Sequence, residues 1–452
     1  MTLLLSFLLG FLFLETLAGD RQEGRDLRLA FALPLGMGIS SLILFYTYLF
    51  LKEQYLAYSI FFHCVILLPL FLVNHRYFNK RLSFLKSNIT LQVKHLWFGL
   101  AAVLLLCYSG VHITYYPYGH CDAFIMWNTK AKFMLYDSQG WIETLRHLDH
   151  PDYPLLLPLN IMWGWSAIGS DSFVIPILIE LCVTFSILFI IFRFILRVTN
   201  YRVAILALFF AGTVPRFLKV AHYQYASMLI ACYILITGIC FLLAFEKDKR
   251  YFSWIGGLSV GAALFTKNEG LLLFVSLYFV LGLYLLFGTD KKDTVGVILR
   301  SLLACLPFLV TLFVFKKIIN RPNDWISTSR IDEMLRFSFD CGRIKVILNY
   351  FLSEINSWSL FFYCLLVSVI IRFRFFFKGS NKIVTYTILL MSLGYFGVYL
   401  IIPTDLKWSL EGSLHRAMSH LFPLTAIWMF YCSFSDEKIG AHDKMRAMHK
   451  FS

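Results

Sequence analysis

Long apolar runs broken by short polar stretches dominate the chain from its first residues. Residues 28–51 read RLAFALPLGMGISSLILFYTYLFL, with no charge after Arg28. A helix needs about 20 apolar residues to cross a bilayer. Backbone groups in lipid must be satisfied within the segment, so such runs are helices. The pattern predicts an all-α polytopic membrane protein with about thirteen spans. They lie near 2–18, 28–51, 56–74, 95–116, 172–196, 201–219, 222–245, 252–267, 270–288, 294–316, 347–371, 382–402 and 417–434. The first run has the length of a leader's apolar core, but no positive residues precede it and another apolar run follows, so it reads as a membrane helix.

The polar stretches set the organisation. Residues 1–94 read as a three-helix N-terminal extension, 95–434 as the body, and 435–452 as a cytoplasmic tail. Lysine and arginine bias orients the loops. Arg76, Lys80, Arg81, Lys86 and Lys94 place the segment after the third span in the cytoplasm. Alternation then places 193–202, 246–250, 291–292 and 372–382 inside as well, each with a basic surplus. It places 117–170, 317–345 and 403–416 outside. The outer stretch 317–345 is basic too, which means either a departure from alternation or a loop that meets anionic groups. Within the first outer loop, 153–168 is apolar, short and proline-broken, the pattern of an interfacial or re-entrant segment, with Trp163 and Trp165 at headgroup level.

Composition adds less. Of 452 residues, 59% are hydrophobic and 15% charged, against about 25% charged in soluble domains. The net charge of +14 is explained by inner loops, so no nucleic-acid partner is expected. The ten cysteines form no paired spacing, and only Cys121 and Cys341 fall in long polar loops.

Candidate chemistry lies in the outer segments. Asp122 follows a predicted span and opens a stretch in which Trp127, Lys130 and Phe133 suggest an amphipathic helix on the membrane. Its bland reading is an N-cap or first-turn carboxylate. His147, Asp149, His150 and Asp152 include zinc-type ligands at no standard spacing, so a divalent metal and plain loop solvation both stand as readings. Lys267, Asn268 and Glu269 interrupt two apolar runs, either as a solvated turn or as a phosphate contact. Arg416 and His420, four apart, share a helix face. An arginine there either binds phosphate with its planar fork or snorkels.

In order along the chain these pieces resemble the GT-C superfamily of membrane glycosyltransferases. The likeness is to the branch of protein O-mannosyltransferases and aminoarabinose–lipid A transferases, its bacterial members especially. Its carriers are Asp122 with WNTKAK, HPDYPLLLP from His150 to Pro158, GxxxGAALFTKNEG from Gly257 to Gly270, and SLHRAMSHLFP from Ser413 to Pro423. The resemblance covers roughly 95–434 and implies a GT-C-like fold with a long outer first-body loop. It implies inverting transfer of a sugar from a polyprenyl-phosphate donor to a lipid, polysaccharide or protein acceptor, on the outer face of a bacterial plasma (inner) membrane. Asp122 takes the place of the catalytic base, and Lys267 and Arg416 those of the donor-phosphate cations. Trp127, Lys130, Lys132, His150, Asp152, Tyr153, Glu269 and His420 are the further substrate-binding candidates. No cofactor is required by this mechanism. The stretch HYQYAS, with Gln224 and Ser227, lacks the acid that the branch often carries there, and Ala123 replaces a second acid, which weighs against metal assistance. Readings as an O-antigen ligase or polymerase, or as a transporter or flippase, stay open beside it. A transporter predicts charges at mid-bilayer, and Glu180 is the one acid placed well within a span.

Overall fold

Backbone amides that cannot reach water bond within their own segment, and the chain is built accordingly. The computed structural model describes residues 1–75, 93–246, 249–288, 291–323 and 330–435, with backbone alone for 93–98. Among the described residues there are helices and no strand. The basic segment expected in the cytoplasm, with Arg76, Lys80, Arg81 and Lys86, and the tail 436–452 lie outside the description, as does the side chain of Lys94.

Three helices open the chain: α1 Thr2–Ala18, α2 Arg25–Leu51 and α3 Tyr55–His75. They run antiparallel in turn. Ser6 meets Ser40 at 3.0 Å, Thr47 meets Ser59 at 2.7 Å, and His63 meets Ser40 at 3.0 Å. After α4 Val93–Tyr115 the loop carries a π-turn Ala123–Asn128, α5 Thr129–Tyr136, α6 Trp141–Arg146 and α7 Leu156–Ile168. The body continues with α8 Val174–Val198, α9 Tyr201–Thr213, α10 Pro215–Val220, α11 Ala226–Leu243, α12 Phe252–Thr266, α13 Glu269–Phe287 and α14 Lys291–Ile319. It closes with α15 Ile331–Ser338, α16 Cys341–Ser357, α17 Phe361–Phe376, α18 Asn381–Ile401 and α19 Leu406–Phe434.

A helix that is apolar all round belongs in the middle of the protein. Every residue of α11 is buried, and α12 and α19 pack on it. The N-terminal helices belong to this core as well. The Tyr233 hydroxyl donates to Pro34 O at 2.8 Å, the Tyr48 hydroxyl bonds Met134 O, and α2 packs on α7 and α8.

Among the described residues six stretches are long and apolar enough to cross a bilayer, or seven if the bent pair α16–α17 counts as one. That is the pattern of a multi-pass membrane protein, though fewer than thirteen stretches meet the criterion. One of the six, Arg25–His75, is the α2–α3 hairpin. Several predicted spans are apolar helices of 13–17 residues, such as α1, α9 and α12. The predicted span 201–219 breaks before Pro215, because Val214 is held extended ahead of a proline. The predicted span 347–371 divides into α16 and α17, bent by 97°.

Two ends of the bundle emerge. The segments expected inside gather at one: Arg193 and Arg197 pair with Asp26 and Glu23, Lys249 with Glu23, and Arg250 with Asp293. The segments expected outside gather at the other. There Arg146 donates to Ile318 O and Ile319 O. Arg343 donates to the carbonyls of Tyr399, Leu400 and Ile402 at the end of α18. So part of the basic surplus of 317–345 satisfies carbonyls at a helix terminus.

One expectation is corrected. The apolar stretch in the first loop forms α7, and Leu156–Trp165 is enclosed by protein, which sets aside the interfacial reading and the headgroup placement of Trp163 and Trp165 and leaves the re-entrant reading open. Trp163 stacks on His63 at 4.7 Å, and Trp165 Nε1 donates to Ser172 O at 2.7 Å. The flanking helices α2, α5 and α8 explain the burial, and sequence spacing does not reveal them.

Candidate functional site

Asp122 reaches the site because the loop after α4 folds onto the stretch before α11. Gly119 permits this with φ +76°; a Cβ there would stand 2.7 Å from Tyr223 O. The next residue, His120, donates its amide to Tyr223 O at 3.2 Å. Asp122 then precedes the π-turn, but its carboxylate makes no capping bond to it. The carboxylate pairs instead with the guanidinium of Arg416, 294 residues later in the chain. The N-cap reading of Asp122 is not what the side chain does.

Lys267 is delivered by close helix packing. At Gly257 a Cβ would come within 2.1 Å of Ser301 O, so only glycine lets α12 lie this close to α14. Lys267 follows in extended conformation, and α13 begins at Glu269, an acid in a favourable first turn. Lys267 Nζ lies 2.6 Å from Glu269 Oε1, and Lys267 is buried, not solvated.

Asp152 is the structural hub between these parts. It is wholly buried and accepts from Asn268 Nδ2 at 2.7 Å and Asn323 Nδ2 at 2.9 Å, with Lys316 Nζ at 3.3 Å. Lys316 also reaches Asn268 Oδ1 at 3.2 Å. The hub ties the first outer loop, the Lys267 turn and the end of α14 together. A buried carboxylate needs such donors. Tyr153 beside it is buried, and that burial raises its hydroxyl well above the usual phenol range.

The last wall comes from α18 and α19. His420, nearly buried, has Nδ1 2.9 Å from the Tyr395 hydroxyl, and Tyr399 bonds Ser413 at 2.8 Å. Arg416 lies with its guanidinium carbon 5.2 Å from the centre of the Tyr225 ring.

These residues enclose a cavity of about 330 Å³ at the end of the bundle that holds the first outer loop. Asp122, Lys267 and Arg416 all line it, as do Trp127, His150, Asp152, Tyr153, Glu269 and His420. Its other wall is apolar, from Leu271, Leu272, Val275 and Val398. Leu271 and Val275 are more than half exposed and continue into Phe279 and Leu286 on the outer face of α13. The cavity wall therefore merges with the apolar flank of the bundle. A site of this form holds an anionic group against cations while an apolar extension lies along α13.

Two substrate-binding candidates are corrected. Lys130 does not line the cavity; it is buried, donates to His150 O and lies 5.8 Å over the Tyr153 ring. Lys132 is also elsewhere, exposed and paired with Asp171 at 2.6 Å. Two positions apart on one helix, their side chains leave on nearly opposite faces, and the run of sequence does not show which face meets the cavity. The histidine and acid cluster also divides. His147 pairs with Glu143 at 3.1 Å while Asp152 sits in the hub. Among the described residues no three His, Cys, Asp or Glu side chains gather as metal ligands. Cys121 and Cys341 are both free thiols.

Sequence reasoning missed Tyr225, Lys316, Asn323, Tyr395 and Tyr399, and it named Asn268 only as part of the Lys267 turn. Tyr225 lies in the HYQYAS stretch noted for its lack of an acid. Asn323 and Lys316 gave no signal, since a polar residue after a span is ordinary.

No protein-family model, no curated protein and no solved structure matches this chain.

Proposed function

We propose that the chain is an inverting membrane glycosyltransferase of the GT-C kind that uses a polyprenyl-phosphate-linked sugar. The observation that carries this reading is the convergence of Asp122, Lys267 and Arg416, from three distant segments, on one cavity with an apolar flank. The donor phosphate lies between Lys267 and Arg416, and its polyprenyl tail along Leu271 and Val275. Glycan, lipid or protein supplies the acceptor hydroxyl, and the site faces the outer side of a bacterial plasma membrane.

In the step itself the acceptor oxygen attacks the anomeric carbon from the face opposite the phosphate. Asp122 takes the hydroxyl proton, which contributes about 10²–10⁴-fold. The bond from the anomeric carbon to the phosphate oxygen breaks, and its electron pair stays on the phosphate. Charge grows there, so fixed cations stabilise the transition state more than the ground state.

Each cation of the cavity has an acid beside it: Arg416 has Asp122 and Lys267 has Glu269. Donor binding exchanges these partners. Phosphate draws Arg416 away and leaves the Asp122 carboxylate to accept a proton. Acceptor activation is thereby tied to the presence of donor.

The test is transfer by the purified protein in vesicles, with a panel of radiolabelled polyprenyl-phosphate sugars and membrane acceptors. At least one donor is consumed by the native chain and not by Asp122→Asn. Absence of transfer from every donor, with no binding of polyprenyl phosphate, overturns the proposal.

A further inference from the structure

Asp122 and Arg416 come from segments far apart in the chain, and their shared neighbour is Tyr225. Tyr225 sits at the start of the wholly buried α11, so its backbone is firmly placed. Gln224 before it adopts a left-handed φ of 58° and donates Nε2 to Pro117 O at 3.1 Å. His120 N donates to Tyr223 O, and the His120 ring stacks on Tyr223 at 4.6 Å. The stretch 222–225 is thus a rigid bed for 117–122.

On that bed the Tyr225 side chain has two separate contacts. Its hydroxyl accepts the amide of Asp122 at 3.0 Å and lies 2.9 Å from His120 Nδ1. The direction of the bond between this hydroxyl and His120 Nδ1 is set by the His120 tautomer. Partial desolvation lowers the His120 imidazole from its ordinary value, which suits an accepting ring nitrogen. Burial and the Asp122 charge push the Tyr225 hydroxyl upward, so it keeps its proton. Its ring meanwhile lies under the Arg416 guanidinium at 5.2 Å, the geometry of a cation–π contact.

We propose that Tyr225 is the positioning residue of this site, its hydroxyl fixing Asp122 and its ring fixing Arg416. What it positions them for rests on the glycosyl-transfer reading. The Asp122 carboxylate makes no capping bond to the turn that follows, so its placement depends on the backbone pin and on Arg416. A misplacement near 1 Å costs about 10²-fold in rate.

The hydroxyl and ring separate on two substitutions. Tyr225→Phe keeps the ring and loses the pin. It lowers kcat by about tenfold and leaves donor KM within about twofold. Tyr225→Leu loses both, and raises donor KM by about tenfold in addition. Tyr225→Met serves in its place where Leu fails to fold. A merely structural tyrosine predicts lower yield and melting temperature with unchanged kcat per folded molecule. A second readout is independent of turnover: the rate at which phenylglyoxal modifies Arg416 in the full-length protein, followed by mass spectrometry of its peptide. That rate rises for Leu or Met and stays near native for Phe. If the native chain moves no sugar, the transfer reading fails while the phenylglyoxal pattern still judges the positioning. Native kcat in Tyr225→Phe, or equal Arg416 labelling in all variants, overturns the proposal.

Discussion

The two ends of the bundle carry similar numbers of paired charges and use them differently. At the end with Arg193, Arg197, Lys249 and Arg250, the pairs join short loops, and their hub is Arg28. Its side chain is fully buried and bonds Glu15 at 2.8 Å, Tyr251 at 3.1 Å, and the carbonyls of Arg21 and Glu23. Those bonds hold α1 and α2 to α12, and they exchange with nothing. At the other end the pairs of Asp122 and Lys267 face a cavity, and buried polar atoms remain there without partners, among them Glu269 Oε2 and His420 Nε2. Pairing alone therefore does not mark a structural charge. Unmet hydrogen-bonding capacity does not divide the ends either, since Arg193 Nε at the first end also lacks a hydrogen-bond partner. Open volume beside the pair does divide them, and it is what a ligand would fill.

The comparison breaks most visibly at Arg28. Arg28→Ala removes the 2.8 Å partner of buried Glu15 and leaves it the Arg25 guanidinium at 3.7 Å, lowering stability by about 3 kcal/mol, the low end for a broken buried pair. Thermal unfolding in detergent measures this. Activity per folded molecule stays native, because the cavity is at the other end. A drop in turnover without a drop in melting temperature would erase the division between the ends.

Asp122→Asn gives the next largest effect, a loss of turnover of roughly 10²-fold or more with near-native melting. Binding of polyprenyl phosphate tightens, because Arg416 loses its internal anion. An N-cap role predicts a nearly silent change, since Asn caps as well as Asp. Tryptophan quenching on titration with polyprenyl-phosphate vesicles, beside the transfer assay, separates the two.

Much of this site was legible in the sequence because charge in an apolar chain is conspicuous. Asp122, Lys267, Glu269, Arg416 and His420 stood out against their runs, and all five line the cavity. What spacing could not give was which way a side chain leaves its helix. Lys130 and Lys132 looked equivalent, yet one is buried against His150 and the other pairs with Asp171. Nor could it show that Asp152 is held by Asn268, Asn323 and Lys316, since those contacts span up to 171 residues. The fold was legible as helical and apolar. The span count is less so, because several of the apolar runs form helices of 13–17 residues, which length and composition alone do not assign as spans.

A smaller effect distinguishes the two cations. Arg416→Lys keeps the charge but loses the planar fork and the ring contact with Tyr225. Affinity for polyprenyl phosphate falls by about tenfold, as expected for one lost charge-assisted bond. Lys267→Ala loses at least as much, because it removes a cation and leaves the Glu269 carboxylate unpaired beside the phosphate. Equal affinity in Arg416→Lys and native protein would remove the fork from the argument.

The smallest effect belongs to Lys132, and it tests the boundary of the site. Its pair with Asp171 is exposed, with side-chain exposures of 58% and 33%. Such pairs contribute about 0–1 kcal/mol and weaken with salt. Asp171 holds the Lys132 ammonium raised in pKa through their hydrogen bond, so it remains charged at neutral pH whether or not a substrate is present. Lys132→Ala therefore leaves donor affinity, turnover and melting temperature near native at physiological salt. Its effect is confined to a small loss of stability at low ionic strength, which Asp171→Asn reproduces and the double substitution does not enlarge. The same non-additivity is absent between Lys132→Ala and Lys267→Ala, whose side chains share no partner. A tenfold loss of donor affinity in Lys132→Ala would extend the site beyond the cavity to the exposed face of α5, and would return Lys132 to the residues that hold substrate.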